Sequence, residues 1–273
     1  MSSLLTAKAR SKMPAANPLP DELVLQAGPF QARLAHTAEE VLGAQKLRYQ
    51  VMYLDSGGQP DPEKARLEAD IDEWDERASH VVVVDQRSDT LKVVGTLRMT
   101  SRSALRPKQN FYTGKSFDLT KLCKHYSNMM EVGRFCVDPS SRSGVVLGLI
   151  WKFAAQYLVD QKVDVMFGCA SFPGADIEQH RDSLIALHKH SLAPPELRVP
   201  AVVPHHNIGE LEEQDSEGEQ ARRRMPPLVR GYLSIGAKIN DCAIVDPVFN
   251  TTFVCIYVDV EGMMRSNALL KPR

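Results

Sequence analysis

The sequence has no long apolar run, no surplus of charge of one sign and, in its first twenty residues, no apolar core of the kind that a signal peptide contains. Its longest apolar stretches, residues 81–84 and 145–151, are far shorter than the roughly 20 residues that span a bilayer. Lys and Arg total 33 against 34 Asp and Glu, a formal net charge of -1, so we expect no nucleic-acid partner that binds through a basic surplus. The first twenty residues are basic but lack an apolar core, so we do not expect export.

The five cysteines lack any paired spacing, and the eight histidines lack a metal-binding pattern. No two cysteines form CxxC, and an odd number without a framework indicates a reducing compartment, so we expect a cytoplasmic protein. There is no HExxH motif and no carboxylate at ligand spacing beside the histidines, so no metal site is predicted. Apolar neighbours of Cys169 favour a buried structural thiol over an acyl-accepting nucleophile.

Alternating strand and helix patterns run through most of the 273 residues. Apolar periodicity predicts helices at 38–53, 119–126, 145–158 and within 173–191, the first opened by a capping box at Thr37 and Glu40. It predicts strands at 30–35, 80–85, 92–101, 129–137, 163–170, 243–248 and 252–260. We therefore predict an α/β (α+β) fold with a mixed central sheet and helices on both faces. One domain over residues 30–273 would follow a flexible arm at 1–29.

The predicted strand at 129–137 carries Glu131 and Arg134 in an otherwise apolar setting. Residues three apart on a strand point to opposite faces, so one of the two would face an interior or a cleft unless a bulge intervenes. A buried carboxylate then needs a partner, because a lone buried charge is costly. The alternative is an edge strand with solvated charges. The functional interpretation is favoured, because the strand leads into a glycine loop and a helix start, where anions bind.

Asp72 and Asp75 lie in a loop with three other acidic residues between positions 70 and 76. Most charge clusters of this kind are simply solvated, and that is the alternative to a binding role. His80 opens the next strand. It is interpreted either as a core histidine or as a residue that supports the site.

The order of strand, glycine loop, amphipathic helix and strand over residues 37–171 resembles the GCN5-related N-acyltransferase (GNAT) fold. In the stretch at 141–146 that aligns with the family's pyrophosphate signature, only Gly144 matches. The resemblance therefore implies the phosphopantetheine arm of an acyl carrier protein as donor, since that arm presents one phosphate, rather than acetyl-CoA. It places the arm beside Val137, Arg142 and Gly144, with no permanently bound cofactor.

Within that fold, several motif positions resemble those of acyl-homoserine-lactone synthases. They are Glu131 with Arg134 and Phe135, Asp72 with Asp75, and the single residues Arg98 and Arg48. Met52 stands where that family has phenylalanine, and the tryptophan that follows there is missing.

Nearly the whole chain, over residues 30–260, resembles bacterial L-ornithine Nα-acyltransferases, once labelled hemolysins. The matching segments are DIDEWD at 70–75, EVGRFCV at 131–137, DVMFGCASF at 164–172, MPPLVRGYLSIGA at 225–237 and DPVFNTTF at 246–253. The resemblance implies transfer of a 3-hydroxyacyl chain from acyl carrier protein to the α-amine of L-ornithine. The product would be lyso-ornithine lipid, made in the first step of ornithine lipid biosynthesis.

The resemblance also implies roles for single residues. Glu131 would accept the proton of the attacking amine, directly or through a water, and Arg134 would orient it or bind the substrate carboxylate. Asp72 and Asp75 would bind the two ammonium groups of ornithine. The remaining candidates are Arg48 and Arg98, for ordering the acidic loop or binding the carboxylate, and His80 as a supporting residue.

Partners follow from the same resemblance. Acyl carrier proteins are acidic, so the docking face should be basic, with Arg102, Arg106, Lys108, Arg142 and Lys152 as candidates. The amphiphilic product predicts peripheral contact with the inner face of the inner membrane through the basic N-terminal arm. Two other functions stay open: acylation of another amino acid such as glycine or lysine, and acyl-homoserine-lactone-type synthesis. A non-enzymatic hemolysin is the least favoured, because no spanning or exposed amphipathic segment is found.

Overall fold

The computed structural model describes residues 23–87, 89–142, 144–211, 221 and 223–266. Its ten strands are β1 (Leu25–Ala27), β2 (Phe30–Leu34), β3 (Ser79–Asp85), β4 (Val93–Ser101), β5 (Met129–Val137), β6 (Val165–Pro173), β7 (His206–Asn207), β8 (Lys238–Ile239), β9 (Cys242–Asp246) and β10 (Thr251–Asp259). They form one sheet in the order β1-β2-β3-β4-β5-β6-β10-β9-β7, and β8 pairs with β10. Every pairing is antiparallel except that of β5 with β6.

Helices pack on both faces of this sheet, so the predicted fold class is confirmed. They are α1 (Ala38–Tyr49), α2 (Pro62–Leu67), α3 (Thr120–His125), α4 (Val145–Asp160), α5 (Arg181–Ser191), α6 (Pro227–Ser234) and α7 (Val260–Ser266). A π-helix, Gln50–Asp55, continues α1, where the sequence predicted an unbroken helix to residue 53. None of the helices described above is both long and apolar enough to cross a bilayer.

The predicted arm at 1–29 is described only from residue 23. Leu25–Ala27 pairs with β2 as the edge strand β1, and residues 1–22 lie outside the described part of the chain. The domain boundary therefore stays a prediction.

The start of α1 shows how local sequence fixes the fold beside the site. Thr37 accepts a hydrogen bond from the Glu40 backbone at 3.2 Å, and Glu40 accepts one from the Thr37 backbone at 3.3 Å, which confirms the capping box. Glu40 also pairs with Arg33 of β2 at 2.5 Å. The helix is thus tied to the sheet at its first turn and directs its last turn, with Arg48, toward the interior.

Two apolar layers flank the sheet. On one face α4 packs through Val146, Ile150 and Phe153, all fully buried, and Gly95 leaves room for Val146, because a Cβ there would lie 2.6 Å from it. The other face is covered by aromatic residues, among them Phe111, which meets the Phe167 ring edge-on. β5 and β6 contribute residues to both layers.

β5 and β6 separate near their middle. Within these two fully described strands, the parallel ladder ends at Glu131 opposite Phe167. Gly168 lets the strands touch at that point, since a Cβ there would lie 2.2 Å from the Val132 carbonyl oxygen. Beyond it β5 contains a bulge, because Thr96 pairs with Cys136 and Arg98 with Gly133. An opening between two parallel strands results.

Candidate functional site

A cavity of about 430 Å³ fills the opening between β5 and β6. Its walls also include the π-helix, the turn at Tyr112–Lys115 and the connection from β9 to β10. The volume is in the range of small-ligand sites. Three of the predicted site residues line it, namely Arg98, Glu131 and Arg134.

Glu131 lies at the point where the two strands part, and it is almost fully buried. Its Oε2 accepts a hydrogen bond from the Tyr112 backbone at 3.0 Å, and its Oε1 accepts one from the Thr113 backbone at 2.6 Å. Burial raises the pKa of Glu131, and the hydrogen bonds from Thr113 and Tyr112 only partly oppose this. The result is a carboxylate that holds a proton more readily than an exposed one, as a general base near neutral pH requires.

Arg134 occupies the bulge of β5 with a φ of 55°, in the left-handed region that is uncommon outside glycine. The guanidinium carbon lies 4.6 Å from the Tyr112 ring centre and 5.0 Å from that of Phe249, in cation–π contact with both. The bulge changes the strand's alternation, which lets Arg134 and Glu131 line the same cavity.

Behind the cavity wall, three arginines and three aspartates form a closed arrangement that we call the charge ring. Its members, in order, are Arg48, Asp75, Arg98, Asp72, Arg134 and Asp70, each paired with the next and the last with the first. The six ion pairs measure 2.5–3.1 Å. Every carboxylate meets two guanidinium groups, so the ring has no formal net charge although it is buried.

Further hydrogen bonds saturate the charge ring. Gln45 donates to Asp75 at 3.0 Å, and the Trp74 backbone donates to Asp72 at 3.0 Å. Burial alone would raise the pKa of Asp75, but Arg48, and after it Arg98, hold it well below its usual range. Asp75 is therefore ionised, and both carboxylates are fully engaged by hydrogen bonds and ion pairs.

Asp72 and Asp75, predicted to bind the ammonium groups of ornithine, do not line the cavity. The Asp72 carboxylate pairs with Arg98 and Arg134, and that of Asp75 pairs with Arg48 and Arg98. These contacts agree with the predicted role of Arg48 and Arg98 in ordering the acidic loop. The geometry favours a positioning role for both aspartates, since each has two arginine partners and Asp75 is also buried, which leaves no free side for a substrate cation.

His80 is a buried core histidine that supports the acidic loop. One ring nitrogen lies 3.1 Å from the Asp75 carbonyl oxygen, and the other has no hydrogen-bond partner among the described residues. Burial lowers the pKa of His80, so the ring stays neutral at physiological pH.

The residues predicted to hold the donor arm lie outside the cavity. Val137 pairs with Gly95 at the end of β5, Arg142 is exposed, and Gly144 begins α4 with a φ of 83°. No side chain of the described residues caps this end of α4. Free backbone N–H groups at such an end bind anions.

Sequence reasoning missed several groups on the cavity wall. Asp246, at the end of β9, and Lys115 both line it. Met52 of the π-helix, which sequence analysis noted only as a departure from a motif, lines it as well. Asp246 lies in one of the segments that carried the resemblance, but nothing in the pattern marked its carboxylate. Cys169 also lines the cavity, and burial raises its thiol pKa to about 12, as the sequence predicted in direction.

Comparison with known proteins places this arrangement in a family. The model of the acetyltransferase (GNAT) domain matches residues 47–152. The solved structure of FeeM, an N-acyl amino acid synthase from uncultured soil microbes, has a TM-score of 0.50 at 11% identity and covers 88% of this chain and 96% of its own, which shows a shared fold.

Curated relatives are more similar in sequence. L-ornithine N(alpha)-acyltransferase of Agrobacterium fabrum is 32% identical over 86% of this chain and 83% of its own length. The protein of the same name from Rhodobacter capsulatus is 32% identical over 86% of this chain and 91% of its own. Because the sequence identity extends over most of both chains, this chain belongs to the L-ornithine N(alpha)-acyltransferase family.

Proposed function

We propose that this chain transfers a 3-hydroxyacyl chain from acyl carrier protein to the α-amine of L-ornithine and so makes lyso-ornithine lipid. The observation that carries the proposal is the cavity between β5 and β6 with Glu131 at its apex, in a chain about one-third identical to enzymes of that name. A thioester from one side and an amine from the other have room to meet there.

Glu131 is proposed as the base. The α-ammonium of ornithine is mostly protonated at pH 7, so its proton must leave before or during attack on the thioester carbonyl. The raised pKa of Glu131 suits it to accept that proton, directly or through a water. The new C–N bond forms, the C–S bond breaks, and the phosphopantetheine thiol leaves with a proton.

The donor arm is proposed to lie along the free edge of β5. Beyond Glu131 that edge has no ladder partner on β6, so its backbone groups are available to the arm and to the oxyanion of the tetrahedral intermediate. Val137 lies at the far end of this edge. Arg142 and the start of α4 at Gly144 then provide the positive end for the single phosphate.

The charge ring is proposed to hold the acceptor side of the cavity in shape. Arg98 and Arg134 are the two ring members that line the cavity, and Asp72 fixes both of them. Asp75, Arg48 and Asp70 complete the ring from behind. Under this proposal Asp72 and Asp75 act through the arginines instead of contacting ornithine.

Acyl carrier protein is the proposed partner, docking near the donor entrance. Of the predicted basic residues, Arg102 donates to the Cys123 and Tyr126 carbonyl oxygens, and Arg106 pairs with Glu76, while Arg142 is exposed. The enzyme is proposed to be cytoplasmic and to contact the inner face of the inner membrane, where it delivers its product.

The test is an acyl-transfer assay with matched donors and acceptors. The same 3-hydroxyacyl chain is offered on acyl carrier protein and on coenzyme A, each with ornithine, lysine or glycine, and products are analysed by mass spectrometry. We expect Nα-acyl-ornithine from the carrier-protein donor. Transfer only to another amine would overturn the acceptor, transfer only from coenzyme A would overturn the donor, and no transfer to any amine would overturn the enzyme itself.

A further inference from the structure

The cavity wall contains one carboxylate that the proposed chemistry leaves unused. Asp246 is the last residue of β9, opposite Thr251 of β10, which in turn pairs with Pro173 of β6. Asp246, Thr251 and Pro173 all line the cavity. The carboxylate therefore lies on the wall formed by the end of β6 and the connection between β9 and β10.

The charged groups of the cavity differ in how far protein partners engage them. Arg98 and Arg134 each bind two aspartates of the charge ring. Glu131 uses both oxygens to hold the turn at Tyr112–Lys115. Asp246 has no ion-pair partner anywhere in the described part of the chain, and it is the remaining anion of the cavity wall.

The carboxylate of Asp246 is held in place through one oxygen only. Oδ1 accepts hydrogen bonds from the Val248 backbone at 2.9 Å and the Phe249 backbone at 3.1 Å. Oδ2 accepts none from the residues that the structure describes. A fixed carboxylate with one free oxygen is ready to bind a cation without losing much side-chain entropy.

Asp246 and Glu131 both act on the same part of the cavity. The Cys169 thiol lies between their strands, and its pKa, raised mainly by burial, is raised further by the charges of Glu131 and Asp246, while the hydrogen bond with Thr113 and the charge of Arg134 lower it. Both carboxylates are thus close enough to the same thiol to act on it. Lys115 contacts the Trp74 ring at 4.4 Å and is, among the described residues that line the cavity, the one cation outside the charge ring.

We infer that Asp246 binds the side-chain ammonium of the acceptor and so selects diamino acids over amino acids with an apolar side chain. The inference rests on the proposed function, which it deepens. With that ammonium on Asp246, the α-amine is directed toward Glu131 and the α-carboxylate toward the cations of the wall. Asp246, which has a free carboxylate oxygen, would then bind the ammonium group that sequence analysis assigned to Asp72 and Asp75.

The test compares ornithine with norvaline, which has the same carbon chain without the terminal amine. Asp246→Asn is the variant, because Asn Oδ1 keeps both backbone hydrogen bonds and only the charge is removed. Asp241→Asn, directly before the start of β9 and outside the cavity, is the matched control. We expect the preference for ornithine in kcat/KM to fall by about tenfold or more in Asp246→Asn, with norvaline unchanged. The control should keep the wild-type preference.

Two results would overturn the inference. One is an unchanged preference in Asp246→Asn, and the other is an equal loss on both acceptors, which would mean a structural role. Calorimetric binding of ornithine and norvaline to the same proteins decides the matter even where no acyl transfer is detected. Wild-type protein that binds ornithine over norvaline, with the difference lost in Asp246→Asn, would then support the inference while the proposed function fails. Equal binding of both by the wild type would overturn the inference.

Discussion

The charge ring and the carboxylates of the cavity wall contain the same kinds of side chain in opposite surroundings. In the ring each carboxylate meets two guanidinium groups, and the charges cancel within the protein. On the wall, Glu131 and Asp246 accept hydrogen bonds from backbone N–H groups, and neither forms an ion pair with a described residue. Charges satisfied by protein partners determine the shape of a site, whereas uncancelled charges remain available to a substrate.

The same contrast appears in the proton affinities. Arginine partners lower the pKa of Asp70 and Asp75 against the effect of burial, while burial raises the pKa of Glu131 because no arginine pairs with it. One region therefore stays ionised through neutral pH, and the other is able to exchange a proton there. The aspartates of the ring thus hold the site in shape, while the neighbouring Glu131 is able to take part in proton transfer.

The largest expected effect is on stability, from Arg48→Met. Arg48 is fully buried, and its removal leaves Asp70 and Asp75 with one arginine each in a dry setting. We expect a loss of about 3–5 kcal/mol in the free energy of unfolding, measured by urea denaturation. A loss under about 1 kcal/mol would show that the ring is not the structural unit that its geometry indicates.

The next effect is on chemistry, from Glu131→Gln. We expect kcat to fall by roughly 10²–10⁴-fold, because the amide cannot accept the proton of the amine. One backbone N–H, of Tyr112 or Thr113, would then face the amide NH₂, so stability and donor binding must be measured alongside.

A pH series separates a base from a structural role for Glu131. In the wild type, activity should fall as pH drops below the raised pKa of Glu131, since only the ionised form accepts a proton. The deficit of Glu131→Gln should shrink toward alkaline pH, where free amine becomes abundant. A deficit that stays constant across pH would argue that Glu131 only holds the turn.

Acid stability should respond to the charge ring. The pKa of Asp75 is lowered from 3.8, so its pairing stabilises the protein above the unfolded-state value and is lost as pH falls through and below it. Glu131, with a raised pKa, acts with the opposite sign at higher pH. We expect unfolding free energy to drop below about pH 4, and less steeply in Asp75→Asn than in the wild type. Equal slopes would contradict the assignment.

Sequence reasoning found five of the six residues of the ring and not their arrangement. Arg48, Asp72, Asp75, Arg98 and Arg134 were marked through motif resemblance, whereas Asp70 was not given a role. Their partners depend on how the loop before β3 lies against β4 and β5, and no local pattern encodes that contact.

Two other features of the structure were not predicted, and the reasons are local. The bulge places a non-glycine residue, Arg134, at positive φ, although Gly133 beside it would be the expected choice. α6 begins at Pro227, directly after Pro226, and contains Gly231. The glycine interrupts the apolar periodicity, so this helix was not predicted. Strongly periodic segments were found well, as α4 shows.

The weakest effect should come from Arg106→Met, which tests the contrast between buried and exposed ion pairs because the ion pair of Arg106 is short. Arg106 lies 2.6 Å from Glu76, closer than Arg48 lies to Asp70, yet both side chains are more than half exposed, at 54% and 71%. Water and salt screen such a pair, so we expect a change within about 1 kcal/mol by urea denaturation. A loss as large as that of Arg48→Met would mean that distance governs these energies. If burial governs them, the change should also vanish at high salt, while the loss from Arg48→Met persists there.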